Sequence, residues 1–181
     1  MKASAVATLG SQLDDLAAYL FRETSRRKLA MLIYPPPVER RMTIELPAFS
    51  DRLRQGNLRV KQININHLVN EALAARLEDV VEAWADARQE AKRAIAESAG
   101  RSVLSATVAA DASADVIIWT RVGGAYPFLS IASLSEKLIG KLAATLVVLY
   151  PGSLEGKTSF RLLDERDGYQ YRADFIRTVN A

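Results

Sequence analysis

The chain has 181 residues, 49% apolar and 25% charged, with a formal net charge of +3, which excludes a disordered or membrane-dominated chain and fits one domain able to bury a core. With no cysteine and a single histidine, disulfides, thiolate nucleophiles, thiolate metal sites and a two-histidine zinc set within one chain are all excluded. The charge is uneven: ten Lys/Arg stand against four Asp/Glu between Arg22 and Lys61, as on a nucleic-acid surface, a docking face for an acidic partner, or a solvated face.

The first residues begin like a secretory signal, but Asp14 and Asp15 arrive before an apolar core develops, so the chain is expected in the cytoplasm. Its longest apolar runs, such as Ala143 to Tyr150, fall far short of the roughly 20 residues that span a bilayer. Leu13, Leu16, Ala17 and Leu20 predict an amphipathic helix. Leu29 to Tyr34 is a continuous apolar run, the mark of a strand covered on both faces, and Pro35-Pro36-Pro37 ends it. A second helix is expected within Val38 to Gln55, with Pro47 limiting its start or kinking it. Leu58 to Ile65 reads as a second strand, succeeded at once by a helix carrying Leu68, Val69 and Leu73.

A long helix is expected next over about 75–108, with Leu77, Val80, Trp84, Ala87 and Ala91 forming an a/d seam. Gly100 and then Ala109 to Asp115 mark the looser return to the core. Val116 to Trp119 and Thr145 to Tyr150 are buried-strand runs, and the helix expected between them, Ile131 to Leu142, makes a right-handed parallel crossover. Ser159 to Leu163 and Tyr169 to Ile176 flank Asp167-Gly168, a hairpin turn signal. The expected fold is α/β: a mainly parallel sheet with flanking helices, one long central helix and a C-terminal β-hairpin at about 158–176, in one domain over 1–181.

No catalytic, cofactor or metal site emerges from the residues. Gly152-Ser153-Leu154-Glu155-Gly156-Lys157-Thr158 resembles a P-loop, but it has three residues where four must separate the glycine from Gly-Lys-Thr, and Phe160 to Leu163 just beyond it read as strand rather than helix. His67 sits at a strand-to-helix junction, where a structural role is the ordinary one. Ser153 lacks the Gly-x-Ser-x-Gly elbow. Glu39, Glu71, Asp115 and Asp164 are candidates for a carboxylate pair that sequence does not resolve. The strongest functional region is Thr120 to Phe128, after a sheet strand, where open α/β folds place ligands and contacts. There Arg121, Tyr126 and Phe128 are candidate protein contacts, against the plainer reading that the aromatics cap the core, and Trp84 is a further candidate. Arg40, Arg41, Arg52, Arg54, Arg59 and Lys61 are the candidates for nucleic-acid contact, the alternative reading being a degenerate P-loop-like domain that binds nucleotide or nucleic acid.

Three stretches taken together, Arg121-Val122-Gly123-Gly124-Ala125-Tyr126-Pro127-Phe128-Leu129, Tyr150-Pro151-Gly152 and Tyr169-Gln170-Tyr171-Arg172-Ala173, resemble the BrxB family of bacteriophage-exclusion (BREX) systems in order and spacing. The resemblance covers about residues 115–176 and adds Tyr171 and Arg172 to the candidate contacts. It departs at two places: the family pattern has alanine and then a large apolar residue at Gly124-Ala125, and arginine at Ser130. The resemblance implies a non-catalytic accessory or scaffold subunit of a phage-defence island, without cofactor. The expected partner is a PglZ-type phosphatase-like protein, with the methyltransferase and ATPase components as wider context and DNA contacted only within a complex.

Overall fold

A computed structural model of the chain describes residues 8–22, 29–76, 88–155, 159–162, 165–170 and 174–176. β1 (Leu29–Tyr34) and β3 (Val116–Thr120) are buried at every position, which explains their unbroken apolar runs: alternate side chains point to opposite faces, and helices cover both. With β2 (Val60–Asn64) and β4 (Thr145–Glu155) they form a parallel sheet in the spatial order β2-β3-β4-β1. A seventh strand, β7 (Asp174–Ile176), adds itself in parallel beyond β1.

Two helices, α1 (Leu9–Arg22) and α2 (Glu39–Gln55), cover one face, packing on Ala30, Leu32, Tyr34, Ile118 and Val147. The opposite face is covered by α3 (Ile65–Ala74), α4 (Arg88–Asp111) and α5 (Ile131–Glu136), which pack on Met31, Ile33, Ile117, Trp119 and Val148. Each such buried aliphatic or aromatic side chain contributes roughly 1.5–3 kcal/mol of transfer free energy. Local chemistry sets the ends. Thr8 accepts from the Ser11 amide at the start of α1, Asn64 from the His67 amide at the start of α3, and Ser130 from the Ser133 amide at the start of α5. At the end of α2 it is Asn57 that turns left-handed (φ 65°), while Gly56 leaves room for the Phe21 ring, which a Cβ would approach to 2.2 Å.

Three expectations need correction. α3 ends at Ala74 with a turn at 75–76, and residues 77–87 of the expected long helix lie outside the described residues, but Gly100 does not loosen the return to the core: α4 spans Arg88–Asp111 and passes straight through it. Its buried stripe is Ala91, Ile95, Ala99, Val103 and Thr107, at four-residue spacing; Trp84 and the rest of the seam from Leu77 to Ala87 lie outside the described residues. The helix expected to reach Leu142 stops at Glu136. Leu138 is buried from a turn and Leu142 from the irregular stretch after it, so their spacing reports burial and not helix. The C-terminal hairpin is β5 (Ser159–Leu162) against β6 (Glu165–Gln170), so Asp167-Gly168 lies within a strand, and Asp174–Ile176 leaves the hairpin to join β1.

The amino ends of the strands are tied by two aspartates. Asp115 accepts from the Arg59 backbone amide at 2.8 Å and from its guanidinium at 2.7 and 3.0 Å, joining the entry of β2 to that of β3. Its carboxyl is held down at a pKa of about 2, chiefly by the Arg59 side-chain hydrogen bonds and then by the backbone one. Asp111, the last residue of α4, accepts from the amides of Ala143 and Ala144 at 3.0 and 2.7 Å and so fixes the entry of β4. Inside the sheet, the Trp119 indole donates to Thr107 Oγ1 at 3.0 Å, and that hydroxyl donates to the Val103 carbonyl at 2.7 Å, so each buried donor in this relay has an acceptor.

Candidate functional site

The connection from β1 to β2 crosses two intervening strands on the α1/α2 face, whereas those from β2 to β3 and from β3 to β4 run over the other face. Helices leaving in opposite directions open a crevice at the carboxyl end of such a sheet. In this chain it is a cavity of about 430 Å³ walled by the first half of α2, by Gln62 and Asn64 of β2, and by Thr120 and Arg121 at the end of β3, over a floor of Tyr34 and Leu149.

Tyr34, buried to 1% exposure, donates its hydroxyl to Glu39 at the first turn of α2 in a short hydrogen bond. Burial first, and then the hydrogen bond and charge of Glu39, push the phenol above its ordinary value, so it stays a neutral donor. The other Glu39 oxygen lies 3.6 Å from Arg121 Nε. Arg121 is left-handed (φ 55°, ψ 36°), a conformation costing an L-residue roughly 1–2 kcal/mol. Such strain persists only where surrounding packing enforces it. Here Val122 and Ala125, both fully buried, pin the 3₁₀ turn of residues 122–125 directly after it.

The turn continues through a cis Tyr126-Pro127 bond, and its two aromatics part. Tyr126 is 52% exposed, while Phe128 packs against the core, so the core-capping reading holds for Phe128 and fails for Tyr126. Both departures from the family pattern have local reasons. A Cβ at Gly124 would lie 2.1 Å from Asn66 Oδ1 and 2.6 Å from Asn66 Cβ, so Asn66 occupies the space a larger residue would need. Ser130 caps α5 through its hydroxyl, a task arginine could not perform.

Of the basic candidates, Arg54, Arg59 and Lys61 line one pocket beyond the end of α2, while Arg40 and Arg41 lie at its start. Arg41 pairs with Glu45 at 2.6 Å, Arg54 with Asp51 at 2.7 Å, Arg52 with Asp14, and Arg59 with Asp115. Among the described residues this leaves Arg40 and Lys61 without a carboxylate partner. Arg40 and Arg54 also sit at opposite ends of α2, roughly 20 Å apart along the axis. Two of these carboxylates, Asp14 and Asp115, come from outside the basic stretch, a pairing that counting along the chain does not reveal; Arg26, Arg27 and Lys28 lie outside the described residues.

The stretch that resembles a P-loop is followed by the strand its sequence predicts: Gly152 to Glu155 continue β4 and pair antiparallel with Leu162 to Ser159, where a phosphate loop needs a helix start; Lys157 lies outside the described residues. His67 is exposed on α3 with Glu71 at 3.3 Å. The carboxylates do not gather, since Glu39 stands at the carboxyl end of the sheet, Asp115 at the amino end and Glu71 on α3; Asp164, like Tyr171 and Arg172, lies outside the described residues. Among the described residues no cluster of three or more His, Cys, Asp or Glu is placed to hold a metal, and no helix is long and apolar enough to cross a membrane. Sequence reading missed the Tyr34–Glu39–Arg121 set because its members come from separate segments; the one signal was Tyr34 as the last residue before three prolines.

A family model described as BREX protein BrxB matches residues 58–176. No curated protein and no solved structure matches the chain. Since the match covers well over half of the sequence and runs from the entry of β2 through the Arg121 turn to β7, the chain belongs to the BrxB family and is a component of a BREX phage-defence system.

Proposed function

We propose that the chain is a non-catalytic, cytoplasmic accessory subunit of its BREX system that holds a PglZ-type partner through the turn after β3. The observation that carries this reading is the half-exposed Tyr126, five residues after Arg121, on a turn anchored by fully buried Val122 and Ala125. Tyrosine and arginine are the residue types that dominate binding hot spots. Anchoring them before association reduces the ordering cost of binding. The methyltransferase and ATPase components are reached through that complex, and DNA is contacted only within it.

The test is co-purification of this chain with the PglZ-type protein of the same BREX system, and then titration. Tyr126→Ala is expected to weaken binding by about thirtyfold, or about 2 kcal/mol, with an unchanged melting temperature. Undiminished binding by both Tyr126→Ala and Arg121→Ala would remove the turn as the contact, and failure to associate at all would remove the partner.

A further inference from the structure

Glycine inside a helix weakens it by about 1 kcal/mol relative to alanine, yet Gly100 stands at the middle of α4. Packing among the described residues does not demand it. A Cβ there would lie 3.7 Å from both Leu129 Cδ2 and Leu134 Cδ2, which is ordinary contact. What the missing side chain does is deepen a groove of about 350 Å³ between α4 and the stretch from Phe128 to Lys137. Ala96, Gly100 and Leu104 form one side at helical spacing; Phe128, Leu129 and Leu134 form the other.

The rim of this apolar trough is basic: Arg93, Arg101 and Lys137 line it against one carboxylate, Glu97. Glu97 lies 3.8 Å from Arg93, which leaves Arg101 and Lys137 without a carboxylate partner among the described residues. Helices and turns build the walls, so no strand edge is offered for an extended peptide to pair with, and an occupant must satisfy its own backbone hydrogen bonds. From Ala96 to Leu104 the trough runs about 12 Å, roughly two helical turns.

We infer that this groove docks an amphipathic helix of a partner protein, with apolar side chains against Gly100 and Leu104 and carboxylates against Arg101 and Lys137. Opposite charge at the rim aligns and selects the occupant, and the floor supplies the apolar burial. The apolar floor disfavours nucleic acid, whose phosphates need donors along their whole track.

The probe is a labelled helical peptide of about 14 residues with leucines at i, i+3, i+4 and i+7 and glutamates elsewhere, beside its lysine-for-glutamate twin. The acidic peptide is expected to bind the full chain roughly tenfold or more tightly than the basic one, more weakly as salt rises. Arg101→Glu/Lys137→Glu, both solvent-facing changes, should invert that preference. Gly100→Met should block binding while leaving the melting temperature level or higher. Equal binding of both peptides, indifference to these variants, duplex DNA binding in the peptide's place, or self-association through the groove would each overturn the inference. The assay contains no PglZ-type protein, so the groove is judged separately from the turn at Tyr126.

Discussion

The two ends of the parallel sheet are built on opposite terms. At the amino ends Asp115 and Asp111 accept five hydrogen bonds between them from Arg59, Ala143 and Ala144, and join the entries of β2, β3 and β4. At the carboxyl ends the chain holds a left-handed arginine, an exposed tyrosine and an open cavity over which Tyr34 donates to Glu39. Relaxed and mutually satisfied groups at one end make it a stability element. Strain and exposure at the other are retained only where surrounding structure compensates for them, which is how recognition surfaces are commonly built.

Mutations should separate the ends by what they change. The largest effect on folding is expected at the amino end: Asp111→Ala removes the shared acceptor of two backbone amides and should cost about 2 kcal/mol, lowering the melting temperature by roughly 4–8 °C while leaving partner affinity alone. A thermal melt together with a binding titration reads both. Next comes acid sensitivity. The Asp115 carboxyl has a folded pKa of about 2 against an ordinary 3.8, so the folded state binds fewer protons than the unfolded one. Its contribution is complete above the ordinary value and disappears as pH falls toward 2. Asp115→Asn should flatten that part of the stability-versus-pH curve, and because the pair is largely exposed, high salt should shrink the difference.

At the carboxyl end the signs reverse. Tyr126→Ala should leave the melting temperature within about 1 °C, because a half-exposed ring contributes little to the core. Smallest of all, Arg121→Gly relieves the left-handed strain and forfeits one part-buried contact with Glu39, at 3.6 Å. It should raise stability by at most about 1 kcal/mol while weakening the partner complex. A large loss of stability from Arg121→Gly would place this residue with the amino-end latches and dissolve the contrast.

Much of the fold was legible because periodicity reports burial. Leu29 to Tyr34 and Val116 to Trp119 were legible as strands because a doubly covered strand is apolar at every position and both runs are short, and the helix crossover between β3 and β4 fits the intervening length. The same signal misled where burial and helix diverge: Leu138 and Leu142 have helical spacing, but Leu138 lies in a turn and Leu142 in the irregular stretch after it. Asp167-Gly168, a strong local turn signal, falls not at the hairpin's turn but inside β6, between Arg166 and Gln170, where the register against β5 shifts. Of the site, Arg121 and Tyr126 were visible from their place after a strand. Glu39 had no distinguishing mark until α2 carried it to Tyr34.

By itself the sequence determined the α/β class, the buried strands β1, β3 and β4, the turn after β3 and the motifs that place the chain among BrxB proteins, since each is written in neighbouring residues. Only the tertiary structure decided which charges pair, that β7 returns to β1, and that Gly100 lies opposite Leu129 and Leu134 across a groove with a basic rim. Those are distances between segments far apart in the chain, and pairing free energies between such segments depend on the geometry that the whole core imposes.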